Sequence, residues 1–417
     1  MSRVVFRNAA VLDGARLRRD QTVVVEGSRI ASVGEGPVDA AGARVLDLRG
    51  RTVLPGLVTA HFHATYEDLA TPVTPVGTEK PPGYLALRAA RNFGRALAEG
   101  FTGVVSAGGP FHLDAQLALA AADGLIEAPR IVAGSHALVT TGDPSYFHGD
   151  WWWELGNPGG YLVADGPDEL RKAVRREIQR GAEMIKIFPT GGHGLVEDRR
   201  TRGLSVAELR AVVDAAHERG KKVRAHAVWK PIVLECIAAG VDVIDHGDEL
   251  DGACVDALAE AGTFLVPSMR YLKVFLDDLA ATSGGKARAL APLSAEYENL
   301  RRWVPVAHGA GVKLLLGDDY GVRLLPHRGY AEELAFYVRE CGLLPADVLR
   351  WATVNGAELV GAGGRVAPGV HADFLVVDGD PLSDVGILAD PARLLAVMKG
   401  GAFVGAAGSL AALERRE

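Results

Sequence analysis

Cysteine is scarce in this sequence. The 417-residue chain contains only Cys236, Cys254 and Cys341, and no two of them form a C-x-x-C motif. The spacing therefore indicates neither a disulfide framework nor a zinc site built from thiolates.

Long apolar runs and basic clusters are also missing. The segment MSRVVFRNAAVLDG lacks the continuous apolar core of a secretory signal, and no later stretch reaches the ~20 apolar residues of a membrane span. The formal net charge is −7, with no run of lysine or arginine. These features argue against nucleic acid and membrane as partners. We expect a soluble cytoplasmic homo-oligomer that acts on a small molecule.

The composition is that of a large folded protein. Hydrophobic residues make up 48% of the chain, which suffices for one large domain and a smaller one. The first segments, such as RVVFRNAAVLD and QTVVVEGSRIASVG, are rich in β-branched residues and read as short strands. Near the other end, ADFLVVDGDPL and RLLAVMKGGAFVG have the same character.

Apolar strands alternate with amphipathic helices between about residue 55 and residue 360. In PDELRKAVRREIQRGA, for example, Leu170, Val174 and Ile178 share one helical face, and the strand MIKIFPTGG follows. Eight such strands predict a (β/α)8 barrel. An open doubly wound sheet is the alternative, but no G-x-G-x-x-G motif follows a strand.

Side chains that bind metals occur at the ends of these strands. In a barrel, chemistry gathers at the carboxyl ends of the strands. Residues two apart on a strand face the same side, so the histidines of HFH can hold one ion. The candidates are His61 and His63 on the first strand, Lys186 on the fourth, His226 on the fifth, His246 on the sixth, and Asp318 and Asp319 on the eighth.

Each candidate alone also has an ordinary explanation. An isolated H-x-H is often coincidental, single histidines can be hydrogen-bonded core residues, and an aspartate after a strand is often a turn residue. Lys186 is harder to explain, because an unpaired ammonium inside an apolar strand is costly. Burial lowers the pKa of a lysine, and a neutral amine can add carbon dioxide to form a carbamate that bridges two metals. The set is stronger than any of its members.

Together these motifs resemble the dinuclear-metal branch of the amidohydrolase superfamily, and most closely its imidazolonepropionase-related and prolidase-like members. The matching segments are LPGLVTAHFH, AEMIKIF, RAHA, VIDHG, LLLGDDYG and GRVAPGVHADFLVVDGDPLSDV. The resemblance implies a TIM barrel over residues 55–363, and a small β-sandwich formed by residues 1–54 and 364–417.

The same resemblance implies a centre of two divalent metal ions, for which we expect zinc. One ion would be held by His61, His63 and Asp319, the other by His226 and His246, with a carbamate on Lys186 and a hydroxide bridging them. In such a centre Asp319 accepts the proton of the attacking hydroxide and delivers it to the leaving amine.

The sequence departs from the family pattern at three places. Asp318 stands where a threonine is usual, and Val228, followed by Trp229, stands where the prolidase-like members have a tyrosine. The loop TTGDPSYFHGDWWWELG resembles a family TGGHGD loop with an insertion. Its His148 would polarise the scissile carbonyl. Its aromatic residues at 146–153 form either an apolar wall for a bulky substrate or a packed loop.

The predicted function is hydrolysis of amide C–N bonds in small N-acyl amino acids or dipeptide-like compounds. A cyclic amidohydrolase or a deaminase is an alternative, although such relatives often use one metal and lack the lysine. A non-catalytic scaffold is a third possibility. We expect the substrate pocket to be lined by His136, His148, His193, Trp151, Trp229 and Tyr320.

Overall fold

The structure is a computed structural model that describes residues 3–68, 79–143, 159–191, 200–281 and 287–404. The strands are β1 (Arg3–Asp13), β2 (Arg16–Glu26), β3 (Arg29–Glu35), β4 (Arg44–Asp47), β5 (Thr52–Pro55), β6 (Leu57–Phe62), β7 (Phe101–Ser106), β8 (Arg130–Val132), β9 (Ala137–Val139), β10 (Tyr161–Val163), β11 (Met184–Ile187), β12 (Lys222–Ala227), β13 (Val243–His246), β14 (Phe264–Val266), β15 (Lys313–Leu314), β16 (Phe374–Val377), β17 (Leu394–Lys399) and β18 (Ala402–Val404).

The helices follow the barrel strands in the order that the sequence predicts. They are α1 (Pro82–Ala98), α2 (Leu113–Ala122), α3 (Gly166–Gln179), α4 (Val206–His217), α5 (Lys230–Ala239), α6 (Gly252–Ala261), α7 (Met269–Ala281), α8 (Ala287–Gly309), α9 (Glu332–Cys341), α10 (Pro345–Arg350) and α11 (Gly356–Val360). None of the described helices is long and apolar enough to cross a membrane.

Strands from both ends of the chain share one sheet, in the order β18-β17-β16-β5-β1-β2-β3, with β4 beside β1. Valine-rich stretches of β1 and β2 pair in a hairpin that turns at Gly14, which has a positive φ of 63°. β16 pairs antiparallel with β5, so that Phe374 lies opposite Pro55. Phe6 packs edge-to-face on Phe374, with ring centroids 5.3 Å apart, in an apolar core separate from that of the barrel.

Parallel strands close into the predicted (β/α)8 barrel. β6, β7 and β8 pair in that order, and β9 and β11 to β15 continue the series. Ala60 N donates to Leu316 O at 2.6 Å, which joins the first strand to the chain just after β15. Glu183 N donates to Ala133 O at 2.8 Å, which joins the third strand to the fourth. The ring is therefore closed, with its carboxyl ends at one face.

Two helices show how the sequence fixes the outer layer. In α1, Leu85, Ala89 and Phe93 are buried at helical spacing against the barrel. α4 begins at the predicted capping box, in which the Ser205 hydroxyl and the Glu208 carboxylate each bond the backbone N–H of the other residue.

The third barrel strand differs from the prediction of one continuous strand. It is divided into β8 and β9, because the chain bends where Asp114 Oδ2 accepts a hydrogen bond from Gly134 N at 2.7 Å. A Cβ atom at Gly134 would lie 2.9 Å from the backbone nitrogen of Gly108. Only glycine permits this close approach, and the bend places Ser135 and His136 on the barrel rim.

Candidate metal centre

Three predicted ligands converge where the first and eighth strands end. His61 Nε2 and His63 Nε2 are 3.2 Å apart. Asp319 Oδ1 is 2.9 Å from the former and 3.4 Å from the latter. Both imidazoles are buried, and the three side chains form a group suited to a metal ion. The spacing of two residues thus aims both rings at one point, as a β-strand should.

The outer nitrogens of these two rings have their own acceptors. His61 Nδ1 lies 3.4 Å from Asp245 Oδ1, and His63 Nδ1 lies 3.2 Å from Gly108 O. With protons on Nδ1, both Nε2 lone pairs face Asp319, which is the arrangement of metal-binding histidines. Burial lowers the pKa of His63 to about 4, so this ring is neutral near pH 7. Burial also opposes charge on His61, but the carboxylates of Asp319 and Asp245 outweigh it and raise its pKa.

The other two predicted histidines lie beside this group. The rings of His226 and His246 are buried, with centroids 4.5 Å apart. His246 is the last residue of β13, lies opposite Ala227 and has a positive φ of 74°. Its ring centroid is 5.4 Å from that of His61, and its Nε2 is 4.0 Å from Asp319 Oδ2. The structure therefore brings all four predicted histidines to one end of the barrel.

Lys186 is buried and ion-paired with Asp245, which the sequence did not single out. Its Nζ donates to Asp245 Oδ2 at 2.6 Å. Arg224 Nη2 donates to Asp245 Oδ1 at 2.5 Å. The strand registers explain the cluster, since Lys186 lies opposite Arg224 and Asp245 lies opposite His226. In the sequence, the sign of this cluster was a charged residue inside a largely apolar strand, Arg224 in VRAHA and Asp245 in VIDHG.

This buried cluster has two cations for one carboxylate. Arg224 is completely buried, and its Nη1 also donates to Ala60 O at 2.8 Å and Ser106 O at 3.1 Å. Burial opposes ionisation of Asp245, but Arg224 and Lys186 hold the pKa of that carboxyl well below its usual range. Burial and the nearby guanidinium lower the pKa of Lys186, against the effect of Asp245. Lys186 therefore loses its proton, and becomes a neutral amine, at a lower pH than an exposed lysine does.

The adjacent aspartates of GDD point in different directions. Asp318 is buried and accepts hydrogen bonds from Tyr271 N at 3.1 Å and Asp319 N at 2.8 Å. Asp319 faces the histidines instead. A Cβ at the preceding Gly317 would lie 2.4 Å from His61 N, so glycine is required where the eighth strand meets the first. The carboxylate next to the imidazoles is that of Asp319, as predicted.

Aromatic rings that the sequence analysis missed cover two of the imidazoles. Tyr66 stacks on His63 with centroids 4.1 Å apart, and Phe188 stacks on His226 at 4.6 Å. Tyr161 meets Phe188 edge-on at 5.7 Å. Phe188 comes directly after β11, two residues beyond Lys186, so the alternation of side chains along an extended chain was the sequence signal that the two side chains share a face. Burial raises the pKa of the Tyr161 hydroxyl, which keeps it a neutral hydrogen-bond donor.

The predicted substrate-binding residues are divided. Tyr320 is completely buried, and its hydroxyl accepts from Arg270 Nη1 at 3.3 Å and lies 3.3 Å from Tyr330 O. Trp229 is partly buried at the start of α5. His136 contacts Glu177 and His112. The predicted residues His148, Trp151 and His193 lie outside the described part of the chain.

Comparisons with known proteins agree with this architecture. The sequence model of the amidohydrolase family matches residues 52–404. Ochratoxinase from Aspergillus niger is 28% identical over 419 residues, covering 93% of this chain and 83% of its own length. Imidazolonepropionase from Anaeromyxobacter dehalogenans is 28% identical over 414 residues, covering 89% of each chain.

A solved structure of a prolidase in complex with N-methylphosphonate-L-proline is also similar. It superposes with a TM-score of 0.86 at 31% sequence identity, over 97% of this chain and 100% of its own. The family match spans most of the chain, and the barrel and its rim of histidines are those the motifs predict. On this basis the protein is a hydrolase of carbon–nitrogen bonds and belongs to the amidohydrolase family.

Proposed function

We propose that this protein hydrolyses the amide bond of small N-acyl amino acids or dipeptide-like compounds, with the help of two divalent metal ions, for which zinc is expected. The observation that carries the proposal is the convergence of His61, His63 and Asp319 beside His226 and His246. The ochratoxinase and prolidase relatives support amide substrates.

The first group of donors fits a metal ion. Tetrahedral ligands at 2.0–2.1 Å from zinc lie roughly 3.3–3.4 Å from one another. The three donor atoms of His61, His63 and Asp319 are separated by 2.9, 3.2 and 3.4 Å. Their chemistry, two imidazoles and a carboxylate, is also that of zinc sites. These residues would hold the first ion.

His226, His246 and Lys186 would complete the centre. As a carbamate, Lys186 would gain two anionic oxygens that could serve as metal ligands, and its N–H could still donate to Asp245. Arg224 would then neutralise Asp245, which no longer faces an ammonium. Bound divalent ions would supply a water of lowered pKa and would polarise the scissile carbonyl.

Asp319 is the residue placed to move protons. Its Oδ1 faces the donor nitrogens, and its side chain is 17% exposed, so that water reaches it. It would take the proton of the attacking water and pass it to the leaving amine, as a general base and then a general acid. Asp318 would not share this role, since its two oxygens accept hydrogen bonds from Tyr271 N and Asp319 N.

The stacked aromatic rings would shape the pocket. Tyr66 and Phe188 cover His63 and His226, and Tyr161 extends the wall beside Phe188. Such a wall fits a flat or bulky apolar group next to the amide and excludes water from the reacting bond. We therefore expect N-acyl and dipeptide substrates with aromatic or large aliphatic groups to be preferred over small polar ones.

The test is a substrate screen with defined controls. Purified protein, loaded with zinc, is assayed against N-acyl amino acids, dipeptides that include X-Pro, lactams and cyclic amidines, with metal content measured in parallel. Activity on linear amides that disappears in Asp319→Asn and in metal-free protein would support the proposal. Activity confined to cyclic amidines would favour the alternative suggested by the imidazolonepropionase relative. A protein without bound metal or activity would be the non-catalytic scaffold.

A further inference from the structure

A second group of metal-binding side chains lies away from the centre described above. It combines His112 at the start of α2, His136 in the bend between β8 and β9, and Glu177 near the end of α3. His112 Nε2 is 2.9 Å from Glu177 Oε2, and His136 Nδ1 is 3.1 Å from the same oxygen. One ligand atom from each side chain lies within 4.8 Å of those of the other two.

The carboxylate of this group is incompletely bonded. Glu177 is completely buried, and its Oε2 accepts from both imidazoles and from the backbone N–H of His136. Its other oxygen, Oε1, is buried with no hydrogen-bond partner among the described residues. A buried carboxylate oxygen without a partner costs free energy unless something binds it. The two imidazoles beside it are only 13% and 14% exposed, so any ligand here would be small.

We propose that His112, His136 and Glu177 form a separate site for one divalent metal ion that prefers imidazole, such as zinc. Two imidazoles and one carboxylate make a common zinc-binding set, and the slight exposure of both histidines leaves room for a water as fourth ligand. Since the three residues come from α2, the third strand and α3, the ion would fasten two helices to the barrel wall.

The hydrogen bonds of the two histidines show which protons must move when a metal ion binds. Phe111 N donates to His136 Nε2 at 3.3 Å, so the proton of that ring lies on Nδ1 and points to Glu177. An ion on Nδ1 requires this proton to move to Nε2, which ends the bond from Phe111. At 3.3 Å that bond is long for its type, so the loss is small. His112 has only to move its proton from Nε2 to Nδ1.

The backbone at His112 has an unfavourable conformation that directs its side chain toward Glu177. Phe111 and His112 have φ values of 58° and 54°, and two consecutive left-handed residues other than glycine are unfavourable. The same segment contains Gly108, whose carbonyl accepts from His63. An ion on His112 would therefore steady the chain that orients one ligand of the main centre.

The experiment counts metal ions by site. Chelator-treated protein is dialysed against low micromolar zinc and analysed by mass spectrometry. His112→Ala should bind one zinc ion fewer per chain than the unaltered protein. His217→Ala should bind as many as the unaltered protein, because His217 pairs with a carboxylate, Asp242, at the same 2.9 Å but joins no group of three metal-binding side chains in the described part of the chain. An unchanged zinc content in His112→Ala would overturn the proposal.

Two further measurements test the second metal site even if His112→Ala does not fold or the main centre binds no metal. The double variant His61→Ala/His63→Ala should keep the zinc ion at His112 and unfold at a higher temperature with zinc than without it. If this variant keeps all its zinc while His112→Ala loses one, the proposed function fails and this site stands. If His112→Ala does not fold, anomalous diffraction from zinc-soaked crystals of the unaltered protein decides. Absence of a peak within about 2.2 Å of His112 Nε2 would exclude the site.

Discussion

Asp245 should be one of the most sensitive positions for stability, because two buried cations depend on it. Asp245→Asn keeps the shape of the side chain but leaves Arg224 and Lys186 buried without their anion. Removing one partner of a buried ion pair costs about 3–5 kcal/mol. Lys186 can release its proton to relieve part of this cost, so the lower end of the range is expected.

That free energy converts to a measurable change in unfolding temperature. With about 2.1 cal/mol/K of unfolding entropy per residue, a chain of 417 residues has roughly 0.9 kcal/mol/K. A loss of about 3–5 kcal/mol then lowers the unfolding temperature by about 3–6 °C. Scanning calorimetry on metal-free protein at pH 7 is the assay, so that the main centre does not contribute.

The matched control is an ion pair on the surface. Lys273 and Asp277 pair at 2.6 Å on α7, with the carboxylate 65% exposed. Asp277→Asn should cost under about 0.5 kcal/mol, or less than 1 °C. If Asp245→Asn unfolds within 1 °C of Asp277→Asn, the buried cluster does not stabilise the fold and the reasoning fails. Replacing Arg224 and Asp245 together by Met and Leu should cost less than Asp245→Asn alone, since the buried guanidinium is then removed with its anion and only the Lys186 amine, which can lose its proton, stays without a partner carboxylate.

Three other outcomes follow from the site and its surroundings. Asp319→Asn should lower kcat at least ~100-fold, the lower range for lost acid–base catalysis, whereas Asp318→Thr should be milder; normal turnover in the first variant and none in a folded second would contradict the assignment. Lys186→Ala should lose at least one metal ion and most activity, with partial recovery in short carboxylic acids; unchanged metal content by mass spectrometry would end the carbamate hypothesis. Burial lowers the pKa of His327 to about 3. As the pH falls below about 6.5, this histidine takes up a proton in the unfolded chain but not in the folded protein. The free energy of unfolding therefore falls by about 1.4 kcal/mol per pH unit between about pH 6.5 and pH 3, and His327 causes no such loss above about pH 6.5. His327→Gln should flatten unfolding free energy against pH in that interval, and equal slopes would refute this.

The convergence of the candidate metal ligands could be predicted from the sequence because their geometry is local or follows from the barrel. Side chains two residues apart on a strand point to the same face, and this alone brings His61 and His63 together. The rule that chemistry gathers at the carboxyl ends of barrel strands brought Asp319 to the same place. Neither step required knowledge of loop conformation. The domain limits, the binding of metal by these residues and the catalytic roles stay predictions.

The parts that the sequence did not reveal depend on partners from distant elements. Arg224 and Asp245 are buried because the strand registers place them beside Lys186, and no local pattern states a register. Tyr320 was expected in the pocket, but the chain turns after Gly317 and directs its hydroxyl to Arg270 and Tyr330. His136 was expected there too, but the bend at Gly134 sets it beside Glu177.

Because one sheet is shared by both chain ends, its early strands are synthesised long before the late strands that complete it. β5 ends at Pro55 and its antiparallel partner β16 begins at Phe374, so roughly 320 residues must be made between them. At 5–20 residues per second, the ribosome needs roughly 15–65 s to supply the partner. During that time the free edge of β5, a stretch of Thr, Val, Leu and Pro, can pair with other chains. Slower translation or loss of the last strands should therefore increase aggregation of the nascent protein, even though the catalytic barrel is untouched.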